Sequence, residues 1–438
     1  MATERKNLLQ LFIPISLETL CFMLTGMVDT VMLSSVGDKA VGAVGTANTY
    51  IGVFIIMFSI ISSGMIAVMT QYIGAGKIGV AHQARQIGMV FNLILGVALS
   101  IFLFIFSGQI LQVVGVAASL MEYADTYLKI VGSFCILNAL IPIFSSYLRA
   151  FGYTKKPLYA TLSANILNLL LNAFFLFVMN WGVAGVAIAT VISRIINLLI
   201  VILSSKTLIH IDKNFEKVDN KLILKQIVKI GFPAALETAL YNIAVTLTIR
   251  FLNQMDSEGL NVTARSYAMQ IANFSYCVGA SLAQANAILT GWRMGAKEFD
   301  ECDKGTKKAA VIGIICASAI SIIFALGAKQ IMLIFSKDAT LIDLVAKLLI
   351  VDIFLELGRV TNLVFGQALK TSGDALFTTV IAAIFMYSCM VLGTYVLGIR
   401  LELLAVGAYI AMACDEIIRA VCMFLRWQSG KWRQKGIA

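Results

Sequence analysis

The sequence predicts an all-α polytopic membrane protein with twelve transmembrane helices in two parallel six-helix lobes. Composition is the first observation behind this prediction, since 59% of the 438 residues are hydrophobic and 13% are charged, whereas soluble domains carry about 25% charged residues. The second is a series of apolar runs, each near or above the roughly 20 residues that span a bilayer. The third is an internal repeat of half the chain length.

The apolar runs are separated by charged or turn-forming residues, and there are six in each half. In the first half the predicted helices cover 8–36, 41–73, 85–107, 122–149, 157–179 and 184–206. In the second half they cover 222–254, 260–292, 306–328, 341–370, 375–398 and 403–426. We therefore expect an N-lobe at residues 1–207, a cytoplasmic linker at 208–221 and a C-lobe at 222–438.

The internal repeat is clearest in the first helix of each half. Residues 14–19 read Pro-Ile-Ser-Leu-Glu-Thr and residues 233–238 read Pro-Ala-Ala-Leu-Glu-Thr, an offset of 219 residues (233 − 14). Residues 148–152 (Leu-Arg-Ala-Phe-Gly) are echoed by residues 369–373 (Leu-Lys-Thr-Ser-Gly), at an offset of 221 residues (369 − 148). Because each half has an even number of helices, both halves enter the membrane from the same side. This predicts a parallel repeat with a substrate path between the lobes.

Basic residues are distributed unevenly between the two sides of the predicted membrane domain. With both termini in the cytoplasm, the cytoplasmic segments hold 23 Lys or Arg residues and the external loops hold four, Lys39, Lys329, Lys337 and Arg400. Cytoplasmic loops of membrane proteins carry such an excess. We therefore expect a multi-pass protein of the cell (inner) membrane with both termini cytoplasmic. The same distribution explains the net charge of +10 without nucleic-acid binding.

Motifs of enzymes and of metal sites are absent from the sequence. Residues 74–77 read Gly-Ala-Gly-Lys, but Ile78 follows where a phosphate-binding loop needs Ser or Thr. Neither His-Glu-x-x-His nor Gly-x-Ser-x-Gly occurs, and the eight cysteines form no Cys-x-x-Cys pair. We expect a monomeric transporter in a lipid bilayer rather than an enzyme, with no cofactor beyond a coupling ion.

The first half places polar residues inside its predicted helices. Asp29 is the one carboxylate expected deep in the N-lobe, where a charge costs about 2.5–3.5 kcal/mol. Keeping an Asp protonated at neutral pH costs roughly 4 kcal/mol, so a bound Na⁺ or proton can decide its state. Asn165, Asn168 and Asn172 share one helix face. That face either completes a cation site with Asp29 or only hydrogen-bonds neighbouring helices.

The second half does not repeat this carboxylate, because the residue 219 positions after Asp29 is Thr248. Instead it has charges at spacings of three and four residues, which permit ion pairs within a helix. The predicted C-lobe charge cluster consists of Glu237, Glu356, Arg359, Asp415, Glu416 and Arg419. It is interpreted as a charge-balanced structural cluster, with a second ion or substrate site as the alternative.

Over nearly its whole length the chain resembles the multidrug and toxic compound extrusion (MATE) family. The motifs that carry the resemblance are Pro14, residues 28–30 (Val-Asp-Thr), 43–45, 71–76, 148–152 and 182–190. No single motif is specific, but their order in a duplicated twelve-helix chain is. The resemblance implies a V-shaped pair of six-helix bundles that exports mostly cationic, amphipathic compounds in exchange for Na⁺ or H⁺.

The chain is most similar to the bacterial branch that includes DNA-damage-inducible protein F. In that branch an Asp lies fifteen residues after a helix-bending proline, which is the spacing of Pro14 and Asp29. The other ion-site positions fall on Tyr127, Asn168 and Thr190, all matching in type.

One position departs from the family pattern, since Asn172 stands where the family often has a second Asp. This places a two-carboxylate proton mechanism in doubt. The resemblance implies that ion coupling and the substrate cavity involve Asp29, Tyr127, Asn168, Asn172 and Thr190, with Na⁺ at Asp29 as the one metal ion considered. A lipid-linked precursor flippase of the same superfamily is the alternative function.

Overall fold

The computed structural model describes residues 6–113, 116–210, 215, 217–257 and 259–437, and no β-strand occurs among them. The helices of the first half are α1 (Leu8–Ser34), α2 (Asp38–Gly74), α3 (Ile78–Val113), α4 (Ala118–Ser133), α5 (Cys135–Ala150), α6 (Lys155–Ala173) and α7 (Gly182–Leu208). Those of the second half are α8 (Asn220–Asn253), α9 (Leu260–Gly295), α10 (Phe299–Leu326), α11 (Ala328–Phe335), α12 (Ala339–Ser372), α13 (Ala375–Phe385) and α14 (Leu404–Gln428). α6 continues as a π-helical turn at Phe174–Val178, and α13 continues through π-helical segments to Arg400.

The described helices account for all twelve predicted spans. Eight are long and apolar enough to cross a membrane, and α4 with α5 makes a ninth as a bent pair. The other three long helices, α9, α12 and α14, are not among these spans, and each carries buried polar or charged side chains. Those side chains lie inside the second unit, where α12 packs most extensively on α9 and α14. The predicted all-α membrane fold is thereby confirmed.

The fourth predicted helix, at 122–149, is two helices in the structure. α4 and α5 are bent by 46° at Phe134. A Gly-Ser pair directly before the break favours a kink. The N–H of Ile136, just after the break, donates to the hydroxyl of Ser100 on α3 at 3.0 Å. The Ser100 hydroxyl thus satisfies the N–H of Ile136 directly after the interruption.

Two helices begin seven residues before their predicted starts, in segments that contain polar residues. The helix predicted at 85–107 begins at Ile78, and the one predicted at 306–328 begins at Phe299. The predicted helices end at charged or turn-forming residues. A real helix can continue past the hydrocarbon into water, where its polar turns are solvated. The short helix α11 lies in a segment predicted as a loop.

Contacts divide the chain into two compact units, Met1–Gly231 and Phe232–Ala438. The first therefore includes the opening turns of α8. α7 ends at Leu208 and α8 begins at Asn220, and of the predicted linker 208–221, residues 211–214 and 216 lie outside the described part. The predicted lobe boundaries stay predictions. Each unit has its own apolar core, formed in the first by residues of α2–α5 and α7 and in the second mainly by residues of α8, α9, α12 and α14.

Within the first unit, α2 and the start of α8 approach each other at two glycines. A Cβ on Gly64 would collide with the carbonyl of Ile227, and a Cβ on Gly231 would collide with the carbonyl of Ile60. Small residues permit such close packing of membrane helices.

We expect Gly64→Ala to lower the apparent melting temperature in detergent, because overpacking costs about 1–3 kcal/mol. Gly45→Ala in the same helix is the matched control, since nothing lies within 4 Å of a Cβ built there. Equal melting temperatures for the two variants would contradict the close contact.

Candidate functional site

Pro14 lies inside α1, which runs through it from Leu8 to Ser34. Proline has no N–H, so the carbonyl of Gln10, four residues earlier, lacks its helical donor. The hydroxyl of Thr154 donates to that carbonyl at 3.4 Å. The turn before α6 thus satisfies the group that the proline leaves free. The bending role of Pro14 stays a prediction.

The structure brings Asp29, Asn168 and Asn172 together where α6 packs along α1. The Asn172 side-chain nitrogen donates to Oδ1 of Asp29 at 2.8 Å and to Oδ1 of Asn168 at 3.1 Å. Asn172 is fully buried. Its own Oδ1 has no hydrogen-bond partner within the described part of the chain. A buried acceptor without a partner costs about 1–3 kcal/mol, so this oxygen is available to a ligand.

Asn165 shares the α6 face but has a different role. Its side-chain nitrogen donates to the backbone carbonyl of Cys21 on α1 at 3.2 Å. Both sequence interpretations of the asparagine face therefore apply, to different residues. Asn165 links two helices, whereas Asn172 and Asn168 surround the carboxylate of Asp29.

Tyr127 and Thr190 approach the same region from α4 and α7. The Tyr127 side chain is buried, and the side chains of Asn48 and Thr190 lie close to its hydroxyl. The Thr190 hydroxyl donates to the carbonyl of Val186 at 2.9 Å. Asp29 is close enough to Tyr127 to interact with it electrostatically. All five predicted residues thus belong to one polar region of the first unit.

Arg194 is a member of this region that the predicted site did not include. It interacts electrostatically with Asp29 and Tyr127, and its Nη1 is buried with no hydrogen-bond partner among the described residues. Its spacing of four from Thr190 puts the two on one face of α7, which is the signal that could have identified it. With Asp29 ionised, the two formal charges cancel.

The oxygen-rich surroundings of Asp29 are compatible with a hard cation. Na⁺ prefers oxygen ligands, as do the other hard cations, and Asp29 has neutral side-chain oxygens beside it. Within the described residues no three His, Cys, Asp or Glu side chains converge as a metal site. A cation here would therefore be held by one carboxylate and neutral oxygens, or Asp29 would be protonated.

The predicted charge cluster of the second unit lies on α12 and α14. Arg419 pairs with Asp415 and Glu416, with nitrogen–oxygen distances of 2.7 and 2.9 Å. Arg359 pairs with Glu356 and lies 3.9 Å from an oxygen of Glu416. The contacts of Arg359 link α12 to α14. The cluster therefore connects two helices, as its structural interpretation requires.

Two buried charges extend this cluster beyond the predicted set. Asp352 of α12 interacts electrostatically with Arg359. Arg265 of α9 is 4% exposed, and its Nε and Nη2 have no hydrogen-bond partner within the described chain. The extended cluster on α9, α12 and α14 has a formal charge of −1 (3 − 4), from the acids Asp352, Glu356, Asp415 and Glu416 and the bases Arg265, Arg359 and Arg419. Asp352 precedes Glu356 by four residues and Arg359 by seven, a one-face spacing that the sequence already contained.

Each unit contains an ion pair of its own, and the two pairs lie at repeat-related positions. Glu18 of α1 pairs with Arg149 of α5 at 2.7 Å, and Glu237 of α8 pairs with Lys370 of α12 at 2.9 Å. Glu237 was predicted within the charge cluster, but it lies at its edge, with Arg419 still in electrostatic range. Glu237 lies at the edge because it is one turn after Pro233, just as Glu18 is one turn after Pro14. The other charges of the cluster lie deeper in the second unit.

Reversing one charge of the first pair is expected to destabilise the protein. Arg149→Glu places two acids together at a site where both side chains are below 20% exposed, costing on the order of 3 kcal/mol. Adding Glu18→Arg should restore much of the melting temperature by restoring the pair. The control is Lys129→Glu, which reverses the base of a far more exposed pair. If the double variant melts no higher than Arg149→Glu, the pair does not stabilise the fold.

Comparison with known proteins yields one family model, MatE, which matches residues 14–174 and 233–396. The two matches begin at Pro14 and Pro233, the residues that mark the internal repeat. The chain is 31% identical to an uncharacterized transporter, YisQ, of Bacillus subtilis, over 100% of this chain and 97% of that one. It is 24% identical to a probable multidrug resistance protein NorM of Thermotoga maritima, over 99% and 94% of the two chains.

Solved structures share the fold. A crystal structure of MATE in the straight conformation aligns with a TM-score of 0.89 at 19% identity, covering 98% of this chain and 96% of that one. An outward-facing multidrug resistance MATE family transporter of the MOP superfamily aligns with a TM-score of 0.89 at 18% identity, with the same coverage. At these identities the likeness concerns the fold.

Proposed function

The chain belongs to the MATE family of transporters, and from this membership we propose that it exports cationic or amphipathic organic compounds in exchange for Na⁺ or H⁺. Its relatives include proteins named as multidrug resistance and multidrug export proteins. A secondary transporter needs a group whose charge state depends on the coupling ion, and Asp29 meets that requirement.

The hydrogen bond from Asn172 to Asp29 is the observation that carries the proposal. An amide nitrogen stabilises a carboxylate that has no cation bound. A proton or Na⁺ at Asp29 would compete with that bond. Because the buried Oδ1 of Asn172 has no partner, rotation of the amide would turn this oxygen toward the bound cation.

Coupling then follows from differential affinity. A ligand shifts a conformational equilibrium only by the difference in its affinity for the two states. A cation that neutralises Asp29 would weaken the contact between α1 and α6 at Asn172. We propose that α1 rearranges about Pro14 in response and reshapes the substrate cavity, which gives alternating access.

The positive charge distribution supports a multi-pass arrangement in the cell membrane with both termini cytoplasmic. The flippase alternative is not favoured. Such a protein would be expected to carry more basic groups around its substrate path, whereas among the described residues of the first-unit site the basic group is Arg194, which lies within electrostatic range of Asp29.

The proposal is tested by uptake of ethidium into inverted membrane vesicles under an imposed Na⁺ or pH gradient. One of the two gradients should drive ethidium accumulation above equilibrium, and the cation of that gradient is the coupling ion. Ethidium accumulation that depends on neither gradient would contradict cation exchange.

Asn172→Asp is expected to make transport more strongly dependent on the proton gradient. The substitution places a second carboxyl group at hydrogen-bonding distance from Asp29, and two carboxyl groups so close share a proton. Asn165→Asp is the matched control, because that side chain lies on the same α6 face but bonds the Cys21 carbonyl. If both variants show the same increase in dependence on the proton gradient, the effect does not require a carboxyl group next to Asp29.

A further inference from the structure

A groove of about 360 Å³ lies between α3 and the first turns of α8, within the first unit. Its wall is apolar and its mouth carries three amide side chains. The lining residues are Gln83, Gln86, Ile87, Val90, Phe91, Ile94, Asn220 and Leu224. None of them belongs to the Asp29 site or to the charge cluster.

The mouth of the groove is held in place by hydrogen bonds. The side-chain nitrogen of Gln83 donates to the carbonyl of Val218 at 2.6 Å and to Oδ1 of Asn220 at 2.6 Å. The N–H of Val218 donates back to Oε1 of Gln83 at 3.1 Å. These bonds fix the start of α8 on α3, so the groove is preformed.

The length of the groove matches one leaflet of a bilayer. Gln83 and Ile94 are eleven residues apart on α3, about 16 Å along the helix axis. Half of a hydrocarbon core of roughly 30 Å is about 15 Å. Val90, Phe91 and Ile94 are 49%, 41% and 66% exposed. On a membrane-spanning helix, this exposed apolar wall faces acyl chains.

Basic residues flank the polar end. Lys217, Lys221 and Lys225 recur every four residues and are exposed, and Lys221 directly follows the groove residue Asn220. Asp219, the residue before Asn220, accepts at its Oδ1 from the N–H of Lys221 at 3.1 Å. Between residues 206 and 229 the sequence has six lysines against three acidic residues. The polar end therefore favours an anionic headgroup.

We propose that this groove is a binding site for an anionic phospholipid, with one acyl chain along α3 and the phosphate beside Lys221. The groove lies where α3 meets Val218 and the first turns of α8. A lipid bound there holds the start of α8 on α3. The site thereby makes the junction between the two sequence repeats sensitive to the charge of the surrounding lipid.

Native mass spectrometry of the purified full chain tests the proposal, with phosphatidylglycerol and phosphatidylcholine of identical acyl chains as probes. Wild-type protein should bind phosphatidylglycerol more tightly. Each lysine near a membrane surface contributes about 1 kcal/mol toward anionic lipid, which is about five-fold in affinity at 25 °C. Lys221→Gln/Lys225→Gln should therefore reduce the preference by about 25-fold.

The control for charge is Lys304→Gln/Lys308→Gln, which removes two lysines from α10, the repeat counterpart of α3. It should leave the preference unchanged. If it lowers the preference as much as the Lys221/Lys225 variant does, the effect is general electrostatics and the site is refuted.

The apolar wall is tested by Ile94→Trp, which fills the groove at a position that is 66% exposed and so should not impair folding. Binding of both lipids should fall several-fold. Ile101→Trp is the matched control, since Ile101 lies two turns further along the same face, is 55% exposed and does not line the groove. Unchanged binding in Ile94→Trp, or an equal loss in Ile101→Trp, would overturn the proposal.

Discussion

Asp29→Asn is expected to abolish gradient-driven transport while leaving a folded protein. The amide has nearly the shape of the carboxylate, and its Oδ1 can still accept from Asn172, so the packing of α1 on α6 is retained. It cannot bind a proton or a cation as the carboxylate does. Without a group that changes charge, no cation has a differential affinity for the two states. Ethidium uptake into inverted vesicles should therefore stop at equilibrium.

The matched control for Asp29→Asn is Asp125→Asn, an identical substitution in the same unit. Asp125 accepts from Ser107 at 2.5 Å, and an asparagine keeps an acceptor there. This control should accumulate ethidium like the wild type. Uphill transport by Asp29→Asn at the wild-type rate would exclude Asp29 from the coupling mechanism. Glu237 would then be the next candidate for the coupling carboxylate.

Arg419→Met is expected to destabilise the second unit by about 3–5 kcal/mol, because it removes the partner of two buried acids. Asp415 is 1% exposed, and Arg419 contacts it through Nε at 3.0 Å as well as through Nη2. Among the described residues, Glu416 would keep its bond from Asn362, at 2.9 Å, and the longer contact with Arg359. The measurement is the apparent melting temperature in detergent, followed by ethidium transport of the surviving protein.

A double variant separates charge balance from a specific site. Arg419→Met/Asp415→Asn removes one charge of each sign and should melt above Arg419→Met. Arg433→Met, which breaks a more exposed pair with Asp300 at 3.2 Å, should change the melting temperature little. If Arg419→Met melts like the wild type and only transport fails, the cluster is an ion or substrate site, as the alternative interpretation states.

The fold was predictable because long apolar runs have few possible structures in a membrane. Helices satisfy their backbone within one segment, so counting the runs and finding the repeat at Pro14 and Pro233 were enough. The bend at Phe134 was less accessible, because it depends on the hydroxyl of Ser100, which accepts the released N–H from another helix. Sequence patterns within one helix do not reveal such a partner.

Side-chain partners between helices show the same limit. The motifs containing Glu18 and Arg149 were both visible as repeats, but their ion pair required the packing of α1 against the end of α5. Spacing within a helix was more informative, since it linked Glu356 with Arg359. The same rule applies to Asp352, four residues before Glu356, although the predicted cluster did not include it. The environment of Asp29 depends on α1, α4, α6 and α7 together, and no spacing rule brings four helices to one point.

Cation flux driven by substrate tests the coupling role of Asp29 most directly. Purified protein would be reconstituted into liposomes, an ethidium gradient imposed, and the opposite movement of ²²Na⁺ or protons measured at the same time. In an exchanger the substrate gradient alone must drive the cation, so wild-type protein should show cation flux and Asp29→Asn should show none. Substrate movement by the wild type without flux of either cation, or equal cation flux in Asp29→Asn, would contradict coupling through this carboxylate.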